Sequence, residues 1–221
     1  MTEPRPGSGP RRAARWGLVA GAGLIGVTAL ALLVVTLTLS NDPCEQAGRL
    51  HSEATVVGAR PPEDLARTLP QQEAVTGAAS ADDPLDADEI ARAFSNPELG
   101  RPLLDEHGFS RGLGRAWRGS DALASAWVLT FERVEGATAF ARELIVLTCD
   151  HADEVFGVAD VTGAIGMRLR FGDAVQDEAI FSYGSMVFVV GYTYPGDEPP
   201  DTDAAEQLAR AARASVTAAA R

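Results

Sequence analysis

Residues Gly17 to Leu39, GLVAGAGLIGVTALALLVVTLTL, form a run of 23 residues without a charged side chain. As a helix rising 1.5 Å per residue, such a run covers about 34 Å, enough to cross the hydrocarbon core of a bilayer with some tilt. A transmembrane helix over 17–39 is the expectation. A cleaved signal peptide is the rival, but its apolar stretch is usually shorter and closes on an A-x-A-like site, which TLTLSNDPC matches poorly. RRAARWG lacks the apolar residues that should follow a twin-arginine pair, and Asn-Asp-Pro before Cys44 is no lipidation site.

Charge gives the span a direction. Arg11, Arg12 and Arg15 lie just before it, whereas Asp42 and Glu45 follow it. By the positive-inside rule residues 1–16 form a cytoplasmic basic tail, and everything after the span is extracytoplasmic in the cell envelope. Gly17 and Gly21, with Ala22 and Gly26, have the small-x-x-x-small spacing that lets two helices approach, so a dimer through the span is one reading. The Gly and Ala content common in such spans is the favoured explanation of the spacing.

The remainder is acidic, with 15 Arg, no Lys, and 30 Asp and Glu after residue 40. That surface repels phosphate backbones and excludes nucleic acid as a partner. Cations, basic peptides and neutral ligands stay open. Residues 40–84 read as a membrane-proximal helix followed by a linker: Asp42 as cap, Pro43 as first helical residue and Gly58 as terminator, then a Pro-, Ala- and acid-rich stretch with one short helical piece near Glu63 to Thr68.

From residue 85 to 221 the pattern predicts an α+β domain, a mostly antiparallel sheet packed with helices. DADEIARAFSNPEL reads as a short acidic helix, and the glycines of GRPLLDEHGFSRGLGRAWRG suggest bends. SAWVLTFERV alternates as a half-buried strand. EGATAFARELIVLTCDHADEVF reads as a single helix with Phe140, Leu144, Leu147 and His151 on one stripe. MRLRF places Met167, Leu169 and Phe171 inward and Arg168 and Arg170 outward. DEAIFSYGSMVFVVGYTY reads as two strands meeting near Gly184, of which Met186 to Val190, apolar on both faces, belongs at the centre of the sheet. An Ala-rich helix carrying Leu208, Ala212 and Val216 on one side closes the chain.

TCDHADE concentrates the chemistry-bearing residues. On a helix Cys149 and His151 point apart, so a local thiol–imidazole dyad is excluded. Asp150 shares a face with Asp153 and Glu154, which reads as a solvated helix side, since neither an EF-hand nor H-E-x-x-H spacing occurs. The chain has two cysteines, both expected in an oxidising compartment, so Cys44 and Cys149 are expected to form a disulfide closing a loop of about 105 residues. No catalytic set, cofactor site or metal site is expected. Ser182-Tyr-Gly184 lacks the preceding glycine of a nucleophile elbow, and VTGAIG opens no phosphate-binding helix. The acidic runs ADDPLDADE and GDEPPD read as solvated loops.

The basic tail and span, GFSRGLGRAWRG, EGATAFARE, and FSYGSMVFVVGYTYP before an Ala-rich helix together resemble uncharacterised actinobacterial membrane-anchored or secreted α+β domain proteins. The resemblance covers roughly residues 85 to 221 and implies an envelope location without an activity. The expected function is a single-pass membrane protein whose non-catalytic extracytoplasmic domain binds a small ligand or an envelope protein. The alternatives are an extracytoplasmic hydrolase built around His107 with Ser or acidic residues, and a structural subunit of a membrane complex.

Overall fold

The computed structural model describes residues 43–53, 60–71, 78–94, 97–119, 122–196 and 203–220. The expected span 17–39, the cytoplasmic tail, Asp42 and Gly58 lie outside these residues. Among the described residues, no helix is long and apolar enough to cross a membrane. Residues 43–221 form one unit.

Helix α1 (Pro43–Glu53) leads into a 3-10 turn (Leu65–Thr68), the short strands β1 (Ala78–Ala79) and β2 (Asp83–Leu85), and helices α2 (Ala87–Ala93) and α3 (Pro97–Glu106). Strands β3 (Phe109–Arg118) and β4 (Leu123–Phe131) precede helix α4 (Val134–Cys149). Strands β5 (Ala152–Gly157), β6 (Ile165–Phe171), β7 (Ala174–Tyr183) and β8 (Met186–Pro195), then helix α5 (Asp203–Ala219), complete the unit. The sheet runs β1-β3-β4-β8-β7-β6-β5, with β2 also on the outer side of β3, and every pairing is antiparallel. Helix α4 carries the chain from β4 to the far edge, and the β5–β8 meander returns to close on β4. Both two-residue loops of the meander place glycine first, Gly172 at φ 62° and Gly184 at φ 59°, the left-handed backbone that tight hairpins demand.

Strand β8 is central, and its two apolar faces belong to two separate cores. Met186, Phe188 and Val190 pack with Phe181, Trp117 and Val128 under Leu208, Ala212 and Val216 of α5 and Leu65 and Leu69 around the 3-10 turn. Val187 faces the opposite way, into a core with Leu129, Phe131, Ile180 and Met167 under Phe140 and Ile145 of α4, Ile90 of α2 and Leu104 of α3. The result is a three-layered α+β domain with helices on both faces of an antiparallel sheet.

Several local expectations change. FSRGLGRAWR is one ten-residue strand, not a series of bends. Its glycines serve close packing: a Cβ on Gly112 would meet Leu129 and Leu85 at 3.1 Å, and one on Gly114 would meet Trp127 at 3.2 Å. PELGRPLLDE, which Gly100 and Pro102 disguise, is helix α3. Residues 60–71 and 78–84, read as linker, supply Leu65, Leu69, β1 and most of β2 to the domain. Arg111 fastens this stretch by donating to the carbonyls of Pro62 and Glu63.

Helix α4 stops at Cys149, and the expected continuation through DHADEVF is instead a turn followed by strand β5, because β6 offers an edge for Ala152 to Gly157 to pair with. Asp150, Asp153 and Glu154 therefore share no helix face. Asp153 pairs with Arg170 and Glu154 with Arg168. His151 is exposed in the turn rather than packed beside Leu144 and Leu147. Two residues of MRLRF also depart from the simple alternation: Phe171, at the end of β6, is 54% exposed, and Arg168 turns its guanidinium onto Asp177, which is fully buried.

Cys44 and Cys149 are joined, with their Cα atoms 5.5 Å apart. The bond fixes the start of α1 against the end of α4. Farther along α1, a Cβ on Gly48 would lie 3.1 Å from Arg142 and Val146, and buried His51 donates from Nδ1 to the Gly163 carbonyl at 2.7 Å. Burial outweighs that bond and lowers the His51 pKa, so the ring is neutral at pH 7.

Candidate functional site: an apolar cavity with an acidic end

Between the sheet and helices α2 and α4 lies a cavity of about 570 Å³, within the size range of small-molecule sites. Helix α2 and its C-cap supply Ile90 and Phe94, helix α4 supplies Phe140, Leu144 and Leu147, and the sheet supplies Trp127, Leu129, Leu169 and Val189. These residues fall on one side because strand side chains alternate and the apolar positions of α4 recur at helical spacing.

The mouth is as apolar as the wall. Among the described residues the exposed large hydrophobics are Leu99, Leu123, Leu147 and Phe171, and three of the four line this cavity. The fourth, Leu123, is two positions from Ser125 on β4 and so shares the same sheet face.

One end is polar. Ser125, Gln176 and Glu178 reach the cavity around Gly191, which pairs with Ser125 on one side and with Glu178 on the other. Gly191 keeps this end open: a Cβ there would lie 3.3 Å from Gln176 Nε2 and 3.4 Å from Ser125 Oγ. Thr193 Oγ1 donates to Gln176 Oε1 at 3.3 Å, and Gln176 Nε2 donates to Glu178 Oε2 at 2.9 Å. The side-chain chain thus ends on the carboxyl of Glu178.

Burial pushes the Glu178 carboxyl up to about 7, opposed only by the Gln176 N–H. Among the described residues no cation acts on it. Near neutrality the group is divided between acid and carboxylate, so it can donate or accept. Between about pH 4.5 and 7 the folded domain holds a proton that the unfolded chain releases. Stability from this group therefore falls as pH rises through that window, by about 3 kcal/mol, and is level above and below it. Glu178→Gln is expected to remove this slope and to raise the melting temperature at pH 8 more than at pH 4. Urea unfolding of both proteins across pH 4 to 8 measures it, and parallel pH profiles for the two would refute the assignment.

The alternation of DEAIF carries the signal that locates this acid: an ionisable residue inside a central apolar strand, opposite a glycine. Sequence reading passes over Glu178 in favour of TCDHADE. Of that segment, Cys149 is in the disulfide, while Thr148 and His151 reach the cavity wall. His107, the candidate hydrolytic residue, lies elsewhere. Its ring is edge-on to Phe140, with centroids 6.4 Å apart, and its Nε2 is 3.2 Å from Glu143 Oε1 but off the line of a hydrogen bond. A broader, shallow depression of about 1020 Å³ runs along Glu63, Asp82, Asp86, Asp88 and Asp105. Arg101 bridges Asp88 and Asp105 there, and no group of residues positioned for a metal ion occurs among the described residues.

These features define an antiparallel α+β sandwich domain with an amphipathic cavity. The extracellular domain of PknH from Mycobacterium tuberculosis has a similar fold, with a TM-score of 0.54 at 15% identity over 73% of this chain and 100% of that domain. An uncharacterised protein from Mycobacterium smegmatis, the Rv0999 ortholog, aligns at a TM-score of 0.29 and 14% identity over 63% of this chain and 87% of that one. No family model matches the chain, and neither does any curated protein.

Proposed function

We propose that the chain is a single-pass membrane protein, anchored through residues 17–39 with its N-terminus cytoplasmic, whose extracytoplasmic domain is a non-catalytic receptor for an amphipathic small molecule of the cell envelope. The observation that carries this reading is the cavity: an apolar wall, an exposed apolar rim and a polar end. The uncharged run, the arginines before it and the disulfide support the compartment. The likeness to an extracellular domain agrees with it.

Two measurements test the proposal. Protease applied to intact cells should digest the C-terminal domain and spare the arginine-bearing tail; the reverse pattern would overturn the topology. Organic extraction of the purified full chain, read by mass spectrometry, should yield a stoichiometric small amphiphile that Gly191→Leu, which fills the polar end of the cavity, loses. That variant is expected to cost about 1 to 3 kcal/mol, because Gln176 and Ser125 stand 3.3 and 3.4 Å from the added Cβ and must give way, so its folding is checked by circular dichroism before recoveries are compared. Equal recovery from both proteins would place any bound molecule elsewhere. Turnover of the molecule would make the domain an enzyme.

A further inference from the structure

We propose that the ligand of this cavity is an amine-bearing amphiphile, its ammonium group seated over Gly191 between Glu178 and Ser125 and its apolar body lying against Trp127, Leu144 and Phe171. The inference rests on the cavity being a binding site and adds the chemistry of the ligand's head.

Three observations converge on a cation. Glu178 lines the cavity, and its Oε2 accepts a hydrogen bond from Gln176. A buried carboxylate is costly without a countercharge, and a bound ammonium ion supplies both that charge and N–H donors. Ser125 adds a hydroxyl acceptor across the residue that has no side chain. The chain after residue 40 carries 15 Arg against 30 acidic residues, a field that attracts cations.

The other charged groups at the cavity are at its β6 and α4 ends: Arg170, which is paired with Asp153, and His151. Neither acts on Glu178, whose raised pKa comes from burial. Strands β4 and β8 present no ionisable group to it. The carboxyl therefore shifts toward its charged form when an ammonium ion arrives.

The test uses the full chain in nanodiscs of zwitterionic lipid, titrated calorimetrically with octylamine, octanol and octanoate against empty discs. Octylamine is expected to bind at least tenfold more tightly than octanol, with octanoate weakest. Its affinity should rise about tenfold or more from pH 5.5 to 8 as the carboxyl ionises. Glu178→Gln should lose the preference for the amine over the alcohol and the rise in octylamine affinity with pH. If wild type prefers the alcohol or the carboxylate, or if Glu178→Gln keeps the amine preference, the amine assignment falls while the cavity remains a binding site. If no probe binds wild type above empty discs, or if Gly191→Leu binds them all unchanged, the cavity reading falls as well.

Discussion

Replacing Cys44 and Cys149 together by serine is expected to lower the free energy of unfolding by about 4 to 5 kcal/mol, the chain-entropy value for a cross-link closing a loop of this length. The two residues are 105 positions apart. The bond therefore withdraws from the unfolded ensemble a closure that spans α1, the 3-10 turn, α2 and α3, β3, β4 and α4. Without it, α1 keeps the contact of Gly48 with Arg142 and Val146, the His51–Gly163 hydrogen bond and the Glu45–Arg142 pair at 3.6 Å. That last pair is exposed on both sides and contributes little. For a domain of this size the loss corresponds to a drop in melting temperature of roughly 10 to 20 °C. Urea unfolding of oxidised, reduced and double-serine proteins measures it. A change under about 1 kcal/mol would mean that α1 docks without the covalent tie.

The second large effect is expected at Arg168. Its guanidinium grips the buried Asp177 through two parallel bonds, Nε to Oδ1 at 2.8 Å and Nη2 to Oδ2 at 3.1 Å, and Asp177 in turn raises the Arg168 pKa. Arg168→Met leaves a buried carboxylate without its partner, and the domain should lose about 3 to 5 kcal/mol. Arg168→Met combined with Asp177→Leu should recover most of that loss, because an apolar pair of similar volume needs no desolvated charge. Glu154, the more exposed partner at 3.2 Å, should matter far less: Glu154→Gln is expected to change stability by under about 1 kcal/mol. A double variant no more stable than the single one would show that the pair is needed for packing rather than for charge balance.

Much of the domain is legible in the residue order. Alternation fixes the faces of β4, β7 and β8, and Met186 to Val190, apolar on both sides, points to a strand covered from both directions. A 3.6-residue period marks α5 through Leu208, Ala212 and Val216, all buried. The cysteine pairing follows from count, since two cysteines have one intramolecular choice. Asp86 and Glu89 spell the reciprocal cap that starts α2, with bonds of 2.8 and 2.9 Å.

What local pattern cannot carry is decided by neighbours distant in the chain. DHADEVF continues the α4 period well enough to look helical, yet strand β5 forms because β6 presents an unpaired edge and pairing satisfies its backbone. Gly112 and Gly114 look like bends until Leu85, Trp127 and Leu129 arrive against them. The cavity belongs to the same category. Periodicity tells which way Trp127, Leu144, Glu178 and Gly191 point, but whether facing layers fill the space between them depends on how far α2 and α4 stand from the sheet, and that spacing is a property of all the side chains packed together.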